Sequence, residues 1–174
     1  MADAPQPFEI VTVDHPRAAV LRRRAQPVRA VTRETQQLID QMFDTMHAAR
    51  GIGLAAPQVG VGRRVIVVEY QKSRLALVDP EILRQDGEAV AAEACLSIPG
   101  MVGDVPRALR VVVRARNRRN RFVTVKAEHM LARILQHEID HLDGILFPQR
   151  VRDRATLQHV DDAPSEVAAP ESRA

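Results

Sequence analysis

Apolar residues first recur with a helical period after Thr32, at Leu38, Ile39, Met42, Phe43 and Met46, with polar residues between them. That spacing predicts an amphipathic helix over residues 33–50. Gly51 ends it, and the following stretch Gly51-Ile52-Gly53-Leu54-Ala55-Ala56-Pro57-Gln58 holds too much Gly and Pro to continue a helix. It reads as a loop of small residues. β-Branched runs at 65–68, 75–78 and 111–113 predict short strands, with Asp79-Pro80 and Asp86-Gly87 as turns between them. A second helix is predicted over 128–142, where Met130, Leu131, Ile134, Leu135, Ile139 and Leu142 form an apolar face and Gly144 supplies a stop. It is the only helix predicted in the second half. Beyond Val151 the periodicity fades into charge, Pro and Ala. The expected organisation is one domain over 8–151 followed by a mobile C-terminal tail over 152–174, without internal repeats.

At 174 residues, 45% of them hydrophobic, the chain can bury a real core. The early apolar run from Phe8 to Val13 is short and broken by Glu9 and Thr12. It predicts neither a signal peptide nor a membrane span, and so a cytoplasmic protein. With 25 Lys and Arg against 22 Asp and Glu the formal net charge is only +3, a mild bias toward anionic partners. Cys95 is the single cysteine, which excludes an intramolecular disulfide and leaves either an inert buried thiol or a ligand.

The chemistry concentrates on the second helix. In His137-Glu138-Ile139-Asp140-His141 two imidazoles stand four residues apart, which on a helix stacks them on one face where both reach a single ion. Glu138 lies beside them without having to be a ligand, free to take a proton from an attacking water and return it to a leaving group. A catalytic site of this type needs a third protein ligand and one open position. Downstream the only histidine is His159; upstream stands Cys95, within Glu93-Ala94-Cys95-Leu96-Ser97. The histidine pair favours the thiol as ligand.

Three segments taken in order, Gly51-Ile52-Gly53-Leu54-Ala55-Ala56-Pro57-Gln58, Glu93-Ala94-Cys95-Leu96-Ser97 and Gln136-His137-Glu138-Ile139-Asp140-His141, resemble the motifs of the peptide deformylases. The resemblance extends over Pro16 to Val28 and Val105-Pro106-Arg107, and so spans roughly 8–151. It implies an α+β fold with antiparallel strands around a central metal-binding helix. The implied activity is hydrolytic removal of the N-formyl group from the formyl-methionine of nascent polypeptides, releasing formate. By the same resemblance Cys95, His137 and His141 are metal ligands and Glu138 is the acid/base. Gln58, through its side-chain NH, and Leu96, through its backbone NH, hold the formyl oxygen; Ile52 and Gly53 line the peptide-binding edge. Glu93 and Arg107 form a supporting pair that orients the loop of Cys95. The implied cofactor is one divalent ion, Fe(II) in the cell, with Zn(II), Ni(II) or Co(II) on isolation.

The departure from the family pattern is Ala94, where the family has Gly. A positive φ there would cost about 1 kcal/mol and shift the Cys95 loop; a negative φ leaves only some crowding of the substrate groove. Arg107 to Lys126 holds eight cations and no acid. Because no aromatic residues interleave the charges, the stretch reads as the solvated face and tip of a β-hairpin and not as a specific nucleic-acid site, with a transient ribosome contact as the alternative. Two other functions share parts of the pattern. A metalloendopeptidase would leave Cys95 and Gln58 unexplained, and an inactive peptide-binding relative would have no use for Glu138.

Overall fold

A computed structural model describes residues 6–161. Its elements, in chain order, are α1 (Arg33–Ala48), β1 (Gly53–Ala55), β2 (Val65–Tyr70), β3 (Ser73–Asp86), β4 (Ala89–Cys95), β5 (Ile98–Arg107), β6 (Arg110–Arg116), β7 (Phe122–Glu128), α2 (His129–Leu142) and β8 (Gln158–His159), with short 3-10 turns between some of them. β1, β2, β3, β6 and β7 form one antiparallel sheet in the order β1-β2-β3-β6-β7; β4, β5 and β8 form a second.

The two helices take opposite faces of the larger sheet. Val65 and Val67 of β2 pack with Ile39, Met42, Phe43 and Met46 of α1. The alternate residues Ile66 and Val68 pack with Met130, Ile134, Leu135 and Ile139 of α2. This two-sided burial is why 65–68 is apolar throughout instead of alternating. The polar side of α2 is also buried: every residue from Ala132 to Leu142 is inside. α2 is therefore no surface helix but a central one, with its apolar face on the larger sheet and its polar face turned to the smaller. The architecture is the expected α+β arrangement of antiparallel strands around that helix.

Both helix ends have local causes. Thr32 caps α1, its Oγ1 accepting from the Thr35 N–H at 3.4 Å. At the other end the left-handed residue is Arg50, with φ 57°, and not Gly51; the Gly51 N–H then bonds back to the Met46 carbonyl at 2.8 Å. After α2 the turn falls on Gly144 at φ 73°, where an added Cβ would lie 2.7 Å from the Arg22 carbonyl oxygen. Only glycine fits there.

Three sequence expectations change. The stretch expected as a loop of small residues holds β1, paired with β2, and then a 3-10 turn over Ala56–Val59. Asp79-Pro80 is not a turn but a bulge inside the long strand β3, where the register against β6 jumps between Val78 and Glu81. Pro80 has no N–H to give the ladder, and Asp79, at φ 51°, accepts the Val28 N–H instead. The expected tail begins with ordered structure: a 3-10 turn over Arg154–Thr156, then β8, whose Gln158 and His159 pair with Val102 and Met101 of β5. The expected mobility of 162–174 lies outside the described residues.

Candidate metal centre

Cys95 ends β4, at the tight Leu96-Ser97 connection to β5, and pairs in register with Ile98. His137 and His141 come from the middle and last turns of α2. The structure brings the three side chains together: their ligand atoms all lie within 4.8 Å of one another, and Cys95 Sγ is 3.3 Å from His141 Nε2. Atoms bound to one tetrahedral ion at about 2.0–2.3 Å stand roughly 3.3–3.8 Å apart, so the cluster is close to ligating geometry. All three residues are buried.

The donor set fits a thiophilic divalent ion. His137 Nε2 is buried and, among the described residues, has no hydrogen-bond partner, a position that costs about 1–3 kcal/mol unless something binds it. Its other nitrogen, Nδ1, lies 2.9 Å from Glu93 Oε2. That carboxylate can only accept, so Nδ1 carries the proton and Nε2 offers its lone pair to the cluster. Burial above all, with the nearby positive charge of Arg107, holds the His141 pKa well below its ordinary value, which keeps its ring neutral and able to ligate at neutral pH.

Glu93 is the hub beneath the cluster. It is fully buried and receives both arms of Arg107, Nε to Oε1 and Nη2 to Oε2, each at 2.9 Å. Burial would raise its pKa, but the hydrogen bonds from Arg107 and His137 outweigh it and hold the carboxyl far below the usual carboxylate range. Arg107 also reaches Asp140 at 2.5 Å, and Asp140 receives Arg150. Arg133 adds a further bond to Glu93 Oε1 at 2.8 Å. Glu93 and Arg107 do pair, as the family resemblance implies. The contact of Glu93 with a candidate ligand histidine, and the presence of Arg133, Asp140 and Arg150, went unforeseen. One signal was available: position 133 is one turn before His137, on the same helix face.

Glu138 is fully buried, and its carboxylate lies against β1. An added Cβ on Gly53 would fall 2.3 Å from Glu138 Oε1 and 2.9 Å from its Cδ, so the glycine is what lets strand and carboxylate approach. Gln58, also fully buried, is held one way round: Oε1 accepts the Ala55 N–H at 2.8 Å, which turns Nε2 toward Ser97 Oγ at 3.3 Å and Cys95 Sγ at 3.6 Å. Leu96 follows Cys95 directly, beneath Gly51. Ile52 accepts the Glu69 N–H through its carbonyl and packs on the core of α2, with Leu135 and Met130 in the same cluster. Ala94 is 2% exposed, in the bulge between Glu93 and Cys95, and its φ is not positive. The strain that a Cβ could have caused is absent at this position.

Comparison with known proteins decides the family. Residues 7–156 match the polypeptide deformylase family. The chain belongs to that family. It is 48% identical to the peptide deformylase of Thermomicrobium roseum over 168 residues, covering 91% of this chain and 94% of the relative. It is 51% identical to that of Heliobacterium modesticaldum over 146 residues, covering 84% and 95%. Among solved structures, the peptide deformylase of Synechococcus elongatus in complex with actinonin superposes with a TM-score of 0.82 at 40% identity, covering 88% of this chain and 83% of that one. The Thermotoga maritima enzyme gives 0.81 at 37%, covering 86% and 100%. The protein is therefore an enzyme, a metal-dependent hydrolase that removes the N-formyl group from nascent polypeptides and releases formate.

The arginine-rich stretch of this deformylase is the β6–β7 hairpin. Arg110 pairs with Asp86, Arg114 with Glu81, Arg116 with Asp79 and Arg118 with Asp40. Acids distant in sequence thus neutralise much of a run that contains none. Among the described residues no helix is long and apolar enough to cross a membrane.

Proposed function

We propose that Cys95, His137 and His141 hold one divalent ion and that Glu138, Gln58 and Leu96 carry out the chemistry around it. Held by a thiolate and two imidazoles, the ion would activate water near neutral pH and polarise the formyl carbonyl. Glu138 accepts the proton of the attacking water and passes it to the amide nitrogen as the C–N bond breaks, so that formate and a free α-amino group leave. Gln58 Nε2 and the Leu96 N–H donate to the oxygen on which negative charge develops, each worth about 3 kcal/mol. The fixed orientation of Gln58 supports its part, since its donor already faces Cys95.

The formyl-methionyl peptide lies along β1. That strand ends the larger sheet, and among the described residues it pairs with β2 and with no other strand. Ile52 and Gly53 supply main-chain contacts, with Ala94 across the groove. The observation that carries the reading is the convergence of Cys95, His137 and His141 on one point beside Glu138 and β1. Its test is equilibrium dialysis against Zn(II): wild type takes up one ion per chain, and Cys95→Ser, His137→Ala and His141→Ala each lose that ion. Undiminished uptake by these variants would contradict the ligand assignment.

The ion in the cell is Fe(II), with Zn(II), Ni(II) or Co(II) replacing it on aerobic isolation; the donor set accommodates all four. Metal analysis of protein purified without oxygen tests this. The enzyme works in the cytoplasm, where nascent chains emerge. Arg119, Arg121 and Lys126 are exposed and, among the described residues, have no ion-pair partner, so a transient ribosome contact would rest on them. Co-sedimentation of wild type with ribosomes, lost on their joint replacement by Ala, is the corresponding check.

A further inference from the structure

The ligands of the proposed centre arrive on two separate bodies. His137 and His141 belong to α2, which packs chiefly on β1 and β2 of the larger sheet; Cys95 belongs to β4 of the smaller sheet. An ion held by both bodies needs their spacing fixed to a few tenths of an ångström. Backbone pairing fixes spacing within each sheet, but side chains must do it between them.

Arg133 spans that gap. It leaves α2 one turn before His137 and is 4% exposed. Its Nη1 donates to the Val105 carbonyl of β5 and to Glu93 Oε1 of β4, both at 2.8 Å; its Nη2 donates to the Ala89 carbonyl of β4 at 2.7 Å. One guanidinium therefore ties the helix of the two histidines to both main strands of the cysteine's sheet. Glu93, which it holds, is two residues before Cys95 and bonded to His137. The planar fork is what makes this workable. It offers several donors in fixed directions, whereas the ammonium of lysine, on a flexible stem, cannot reach a carboxylate and two carbonyls in those directions at once.

We infer that Arg133 is a positioning residue for the metal centre: by clamping α2 to β4 and β5 it sets the distance of Cys95 from the histidine pair, and so governs metal affinity. The inference rests on the proposed ligand set. Arg107 joins the same elements farther along the helix, running from β5 to Glu93 of β4 and to Asp140 in the last turn of α2, whereas Arg133 holds the turn before His137.

The test compares wild type with Arg133→Met, which keeps the stem and removes the fork, Arg133→Lys, and Arg152→Met, which removes an exposed pair with Glu88. Zn(II) affinity is measured by chelator competition, the visible spectrum is recorded with Co(II), and Tm is measured with and without metal. Arg133→Met is expected to weaken Zn(II) binding by about 10–100-fold. It should also change the Co(II) spectrum and narrow the Tm gap between loaded and metal-free protein, with Arg133→Lys intermediate and Arg152→Met like wild type. If Arg133→Met does not fold, Arg133→Lys carries the same comparison. Equal losses of Tm in loaded and metal-free protein, at unchanged affinity and spectrum, would make Arg133 merely structural and overturn the inference. Cys95→Ser and His137→Ala, run alongside, separate that result from a wrong ligand set, since they would then also bind Zn(II) like wild type.

Discussion

Gly53→Ala displaces Glu138 while leaving the proposed metal ligands untouched. The backbone of Gly53 is not at positive φ, so alanine brings no conformational strain, and glycine-to-alanine in a strand is ordinarily worth about 0.5–1 kcal/mol in the favourable direction. The new methyl group, however, falls 2.3 Å from Glu138 Oε1, 2.9 Å from Cδ and 3.0 Å from Cγ. Rotating the carboxylate does not relieve three contacts at once, and Glu138 is fully buried, with little room to yield. The carboxylate must retreat by roughly 1 Å, a displacement that typically costs about 100-fold in rate when the group has to meet a reacting atom. The assay is formate release from formyl-Met-Ala-Ser, with Zn(II) affinity and Tm measured on the same preparation. The expected result is kcat/KM down about 100-fold, metal affinity near wild type, and Tm lowered by at most a few degrees. A kcat/KM within twofold of wild type would refute the reasoning: either the strand gives way, or Glu138 does not need its place.

Gln58 has two jobs that two variants probe. Gln58→Glu keeps the acceptor for the Ala55 N–H but replaces the donor with a buried carboxylate beside Cys95, so turnover should fall about 100-fold and Tm should drop with it. Gln58→Leu also strands that buried N–H and should lose about 1–3 kcal/mol of stability as well, read from urea unfolding. The depressed pKa of Glu93 predicts acid sensitivity: its contribution is fully present above the unfolded value near 4.5 and is lost as pH falls below it. His141, also lower in the fold than its ordinary 6.5, adds destabilisation as pH falls through that value, because the unfolded chain takes the proton first. Metal-free Glu93→Gln should therefore show a flatter decline of stability below pH 4.5 than wild type, by unfolding at a series of pH values; parallel curves would contradict this.

The helices were legible in the sequence because each has a long apolar stripe and a local end signal, Thr32 for α1 and Gly144 for α2. The strands near Val65 and Val111 announced themselves by β-branched runs. β4 and β5 did not, since Ala-Val-Ala-Ala-Glu-Ala-Cys and Ile-Pro-Gly-Met-Val-Gly-Asp-Val-Pro-Arg carry Ala, Gly and Pro where strand signals are sought, and their pairing is set by the fold around them. The candidate ligands stood out because helical spacing alone puts His137 and His141 together. Nothing local tells that the polar face of α2 is buried, so the burial of Arg133 and Asp140 shows only once β4 and β5 are seen to cover them.

Formate release from formyl-Met-Ala-Ser by anaerobically purified, Fe(II)-loaded protein, beside the Glu138→Ala and Glu138→Gln variants, tests the central claim most directly. Wild type should turn the substrate over, while both variants bind one ion per chain with near-normal affinity and lose at least about 100-fold in kcat. Variants that retain wild-type turnover with the metal bound would contradict the assignment of Glu138 as the group that moves the proton.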